Sequence, residues 1–198
     1  MGKGAAAIDA DVCRAVGVWP VRLVVGGIAG WSLWCSDDVD MLLARGGRVQ
    51  VFRSPDALLA ALAASRDGFT PAAAVALDLD TLRVVATAPA ATCNLDAAAA
   101  WFARADRSAT MEDCKAALDA INMATDIGAT AGDARLAERV ESDDLLPVFD
   151  VLTFGQTLLG DGSPYRDNPE AMVSAITPES AMAVARLMQL ASGHIEAC

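Results

Sequence analysis

Histidine is nearly absent from this sequence. The single one, His194, lies close to the C-terminal end, in a stretch expected to fray, so a Ser–His or Cys–His nucleophile would draw its base from a poorly held segment. Clustered cysteine is missing too. Cys13, Cys35, Cys93, Cys114 and Cys198 are scattered and odd in number, with no Cys-x-x-Cys pair. That spacing makes neither a disulfide framework nor a zinc ligand set; no metal is expected, and the pattern fits reduced thiols in a cytoplasm.

Long apolar runs are lacking. The most apolar window, Val21 to Trp34, is broken by Arg22 and by Gly26, Gly27 and Gly30 and falls short of the roughly 20 residues that cross a bilayer. The opening Met1 to Cys13 holds one lysine and a short alanine run ended by Asp9, too short and too polar for a signal peptide. Basic charge is also scarce: 15 Lys and Arg face 26 Asp and Glu, a net charge of −11. Such a field repels nucleic acid and anionic membrane and speeds encounter with a basic partner. A cytoplasmic protein with no nucleic-acid or membrane partner is the expectation.

What is present suffices for one globular domain. The chain has 198 residues, of which 54% are hydrophobic and 21% charged, enough to bury a sizeable core. Residues 1–12 read as a flexible tail, and 13–198 as a single α+β domain, sheet-rich over 18–90 and helical over 94–198. Val21 to Val25 and Ile28 to Trp34 have the composition of strands joined by the turn Gly26-Gly27, hence a hairpin. Arg48 to Arg53 reads as another strand. Ser54-Pro55-Asp56 is a helix start, with a hydroxyl cap, proline at the first position and an acid in the first turn.

Further on, Asn94 caps a helix bearing Leu95, Ala98 and Phe102. Thr110-x-x-Asp113 resembles a capping box for a longer helix with the stripe Met111, Cys114, Leu118, Ile121 and Thr125. Ser142-Asp143-Asp144 opens a short helix, and Thr177-Pro178 begins the last, with Met182, Ala185, Leu187 and Met188 inward. Strands first and helices later predict an α+β fold, an antiparallel hairpin and sheet covered by helices, with a mostly helical C-terminal half.

The most chemical-looking stretch is Val75-Ala76-Leu77-Asp78-Leu79-Asp80-Thr81-Leu82. An apolar run ending in Asp-x-Asp resembles the opening motif of the haloacid-dehalogenase-like phosphatases. That resemblance implies Asp78 as nucleophile and Asp80 as general acid and base, with Mg²⁺ held between carboxylates. It extends to Thr92 as a phosphate-binding hydroxyl, Lys115 as a charge-stabilising amine, and Asp143 and Asp144 as metal acids. Thr81 follows Asp80 directly, without the family's spacer residue, and the bland alternative is an element edge with solvent-facing acids. A Mg²⁺-dependent phosphohydrolase stands as the enzymatic reading.

The other reading rests on surface character. In a strand, Trp31 and Leu33 face one side while Ser32 and Trp34 face the other, so a sheet covered on one face leaves one tryptophan near the surface. Asp37, Asp38 and Asp40 follow at once. An aromatic beside an acidic loop suits a protein-binding hot spot, with Asp143 and Asp144 joining if the fold gathers them. The stretch Gly46 to Leu62, "GGRVQVFRSPDALLAAL", resembles a segment of small actinobacterial immunity-like proteins. That resemblance implies a non-enzymatic inhibitor that neutralises a basic effector by masking its active site, needs no cofactor, and presents Trp34, Asp37, Asp38, Asp40, Asp143 and Asp144 as contacts. A homo-oligomeric scaffold, in which Trp34 meets its own copy in a homodimer, is the third reading.

Overall fold

The computed structural model describes residues 3–36, 38–104, 107, 110–139, 142, 144–155, 165 and 168–198. It opens with α1 (Lys3–Val16), then β1 (Val18–Val25), β2 (Ile28–Cys35), β3 (Met41–Leu42), β4 (Ala44–Arg45) and β5 (Arg48–Val51). After α2 (Pro55–Ala64) come β6 (Phe69–Thr70), α3 (Ala72–Ala76), α4 (Leu79–Thr87) and β7 (Ala91–Asn94). The remainder is helical until the last strand: α5 (Leu95–Ala103), α6 (Met111–Ala131), α7 (Ala134–Ala137), α8 (Leu146–Gly155), α9 (Pro169–Ala175), α10 (Pro178–Ser192) and β8 (Ile195–Ala197). The fold is α+β, as the sequence predicts. Among the described residues no helix is long and apolar enough to cross a membrane.

The hairpin forms where its glycines put it. Gly26 and Gly27 take φ of 59° and 77°, the left-handed pair that a two-residue turn matched to strand twist requires. Their N–H groups donate to the two oxygens of Asp96, at 2.7 and 2.9 Å, which ties the turn to the first turn of α5. Beyond the hairpin the sheets are mixed where an antiparallel one was expected. One has the order β3-β2-β1-β7 and the other β6-β4-β5-β8, with β1–β7 and β5–β8 parallel. The strands responsible are three or four residues long, too short to carry a periodic signal. The two sheets meet where Trp31 and Phe52 exchange backbone hydrogen bonds of 2.7 and 2.8 Å. A Cβ on Gly30 would stand 2.4 Å from the Phe52 carbonyl oxygen, so that crossing needs glycine.

Helices cover both faces of the hairpin. On one side Val21, Leu23 and Val25 pack with Leu118, Ile121 and Ile127 of α6; on the other Leu33 and Cys35 pack with Leu58 and Leu62 of α2 and Leu82 and Val85 of α4. Each such aliphatic side chain contributes about 1.5–3 kcal/mol on burial. Trp31 and Trp34 are consequently both half-buried, and neither stands free on an open face. Of the stretch expected as a tail, residues 3–12 belong instead to α1, whose Cys13 is buried among α4-side residues. An alanine-rich segment forms helix readily, and this one gains an apolar contact that its composition did not advertise.

The caps are where the sequence places them. Ser54 accepts from Ala57 N–H with Pro55 at the first helical position, Asn94 accepts from Ala97 N–H, and Thr110 accepts from Asp113 N–H. The long helix α6 ends at Gly132 in the left-handed conformation, which costs a residue without Cβ nothing. Gly128, inside the same helix, serves packing, since a Cβ there would lie 2.6 Å from the Ala137 nitrogen of α7. Met182, expected to face inward, is 56% exposed while Leu187 and Met188 are buried; the inward stripe of α10 runs through Ala181, Val184, Leu187 and Met188. His194 is held and not frayed: its Nε2 lies 3.3 Å from Asp133 Oδ2, and β8 pairs with β5.

Candidate functional site

The hairpin register places Trp19 directly across from Trp34. Their rings sit 5.4 Å apart at a 49° tilt, a separation within the roughly 4.5–7 Å at which aromatic pairs attract and a tilt between the stacked and edge-to-face arrangements. The Trp34 indole N–H donates to Asp126 Oδ2 of α6 at 3.1 Å. Thr130, one turn on, pins this corner by donating its hydroxyl to the Asp126 carbonyl at 2.7 Å and accepting the Leu42 N–H at 2.9 Å. Around the tryptophans opens a cavity of about 710 Å³, walled by Pro20 and Val21, by Ala91 to Cys93 of β7, and by Asp119, Asn122, Met123 and Asp126 of α6, with Asp40 at its rim.

A second cavity of about 530 Å³ continues past the same β7 residues toward Trp101 and Arg104 at the end of α5 and Glu112 and Asp113 at the start of α6. The two share Thr92, Cys93, Lys115 and Asp119, so they form one groove with a waist. Its walls carry five carboxylates, Asp40, Glu112, Asp113, Asp119 and Asp126, against two cations, Arg104 and Lys115. Lys115 is already engaged with Asp119 at 2.6 Å, an exposed helical pair of small energetic weight.

Burial pushes the Asp126 carboxyl up to about 7, with the charge of Asp40 acting in the same direction and the Trp34 hydrogen bond opposing them. A carboxylate so desolvated gains strongly from a cation placed beside it. Cys93, at the waist, donates its Sγ–H to the Asp119 carbonyl at 3.6 Å. Burial pushes this thiol up to about 12, helped by the negative charges of Asp119 and Asp126, so it is an apolar wall and a poor nucleophile.

The residues singled out from sequence divide sharply. Trp34 and Asp40 line the groove. Asp38 is exposed on the loop leading to Asp40. Asp144 does not join them: it bonds to Arg139 and to the Ser142 hydroxyl at the foot of α8, and it is no part of either cavity. Asp37 and Asp143 lie outside the described residues.

Asp78 and Asp80 are also elsewhere. The strand that a phosphatase motif needs is absent here, because Ala72–Ala76 is helix and Asp78 is the N-cap of α4. Asp78 accepts from the Asp80 and Thr81 N–H groups at 3.0 and 2.9 Å and from the Thr81 hydroxyl at 2.8 Å. These bonds hold its carboxyl below the usual range, the Thr81 amide contributing most. Asp80 is paired with Arg83 on the exposed side. Thr92 and Lys115 do lie together in the groove, but neither aspartate lines it. Among the described residues no three His, Cys, Asp or Glu side chains gather as a metal site.

Sequence reasoning missed Trp19, Asp119, Asn122 and Asp126. The signal was available: 119, 122 and 126 recur at i, i+3 and i+7, one polar stripe on a helix otherwise traced by its apolar face. Trp19 follows from counting outward from the Gly26-Gly27 turn.

Comparison with known proteins supplies the relationship. The family model of the SatS C-terminal domain matches residues 18–175. A crystal structure described as the SatS C-terminal domain in complex with bromine superimposes with a TM-score of 0.58 at 19% identity, covering 95% of this chain and 97% of that one. At that identity the likeness bears on fold alone. No curated protein matches.

Proposed function

The chain belongs to the SatS C-terminal domain family, and we propose that it is a non-enzymatic acidic binding protein whose groove receives a basic segment of a partner polypeptide. The observation that carries this reading is the Trp19–Trp34 pair with Asp126 bonded beneath it and Asp40 and Asp119 beside it. Indole faces attract guanidinium and ammonium groups, with a gain of about 0.5–2 kcal/mol that grows with desolvation. A half-buried carboxylate provides the counter-charge where water screens least, and the net charge of −11 accelerates the encounter. The large apolar share of the groove, from Pro20, Val21, Met123 and Trp101, suits a segment in which apolar and basic residues are mixed.

The narrower form of the proposal is an immunity or inhibitor protein in a cytoplasm, the basic segment then belonging to an effector whose active site is masked. In either form the contacts are Trp19, Trp34, Asp40, Asp119 and Asp126, and Asp38 contributes from the adjoining loop.

The test is a titration of a blocked hexapeptide of alternating arginine and leucine, followed by tryptophan fluorescence and calorimetry, beside the same peptide with glutamate for arginine. The basic peptide is expected to bind and the acidic one not. Asp40→Lys with Asp119→Lys should weaken binding by roughly tenfold or more, whereas Asp11→Lys with Asp67→Lys, the same change in net charge outside the groove, should cost about twofold or less. Equal binding of the two peptides, or equal loss from the two double variants, overturns the reading.

A further inference from the structure

The strand β7 forms the outer edge of its sheet, bonded to β1 alone. Among the described residues, the backbone of Ala91 and Thr92 has no hydrogen bond beyond that ladder. Ala91, Thr92 and Asn94 are exposed, and only Cys93 is buried. Folded proteins ordinarily blunt such edges with very short strands, charged side chains, proline or a covering element. The other sheet ends conform: β3 and β6 are two residues long, and β8, of three residues, carries Glu196. The four residues of β7, Ala-Thr-Cys-Asn, include neither charge nor proline. This uncharged edge forms the wall common to both cavities of the groove.

We propose that the groove binds its basic segment in extended form, as a fifth strand hydrogen-bonded to the free edge of β7. The inference rests on the groove being a polypeptide site and adds how the chain lies in it. An added strand rises about 3.3 Å per residue with side chains alternating between faces, so four residues run the length of β7 and every second side chain turns toward α6. There the groove offers carboxylates on both sides of its waist, Asp40 and Asp126 at one end and Glu112 at the other. Backbone pairing then supplies affinity without regard to sequence, and the carboxylates select for cations; this is the division of labour in β-augmentation. A helix laid in the same groove would leave the β7 amides and carbonyls to water.

Backbone N-methylation tests this, because along a strand N–H groups point alternately toward and away from the pairing edge. Two versions of the arginine–leucine hexapeptide are made, one methylated at the odd residues and one at the even. Strand addition predicts that one version loses binding by about tenfold or more, the equivalent of one or two net hydrogen bonds, while the other stays within about threefold of the parent. Amide exchange at Ala91 to Asn94 should slow on binding of the parent peptide. Equal affinity of the two methylated versions, with the parent still bound, overturns strand addition and leaves the groove reading standing. Failure of the parent itself to bind overturns both.

Discussion

Asp126 gives the fold a pH dependence that can be worked out in advance. Its carboxyl titrates near the ordinary 3.8 in the unfolded chain and near 7 in the folded one, chiefly through burial. Between those values the folded protein holds a proton that the unfolded chain has lost. The stability tied to this group is therefore full below the unfolded value and is lost as pH rises through the folded one. At ~1.4 kcal/mol per pH unit, a rise from about pH 5 to about pH 8 removes roughly 2–3 kcal/mol. In Asp126→Asn the amide oxygen still accepts the Trp34 N–H and nothing titrates. Urea unfolding of both proteins, followed by tryptophan fluorescence at several pH values, isolates the group by difference, since the remaining acidic surface is common to both. The variant should be more stable than the parent by about 2–3 kcal/mol near pH 8, the gap shrinking by that amount toward pH 5. A gap that stays constant within about 0.5 kcal/mol across the range would refute the assignment of a half-buried, proton-holding Asp126.

Two further outcomes follow from the geometry. Gly128→Ala places a Cβ 2.6 Å from the Ala137 nitrogen and 2.8 Å from the Leu136 side chain. The gain in helix propensity, about 1 kcal/mol, is outweighed by the overlap, and a net loss of roughly 1–2 kcal/mol is expected in the same urea assay; an unchanged or higher midpoint contradicts the tight α6–α7 contact. Asp78→Asn retains a side-chain oxygen for the α4 cap and removes any carboxylate nucleophile. With Mg²⁺ and a generic phosphomonoester no turnover that depends on Asp78 is expected, and a rate abolished by this substitution alone would favour the phosphohydrolase reading.

Much of the local structure was legible because its causes are local. Ser54, Asn94, Thr110 and Thr177 bond the amides of the turns they open, and a side-chain oxygen at that position needs no tertiary help. Gly26-Gly27 fixed the hairpin and its register for the same reason. The errors came from elements too short or too dependent on neighbours. Asp-x-Asp after an apolar run fits a strand end or a helix edge equally well, and only the packing of α4 against α2 and α1 decides that Asp78 caps a helix.

The sequence by itself therefore determined the fold class, the hairpin, the helix starts at Ser54, Asn94, Thr110 and Thr177 and the excess of acid, all consequences of residue type and spacing within a few positions. Tertiary structure alone decided that Asp126, 92 residues from Trp34, accepts its indole N–H, that burial moves this carboxyl toward neutrality, and that β7 ends the sheet with one edge free of backbone partners among the described residues. The reason is physical. Caps and turns are settled by bonds between near neighbours, whereas desolvation and strand order depend on which distant segment arrives to exclude water or to pair.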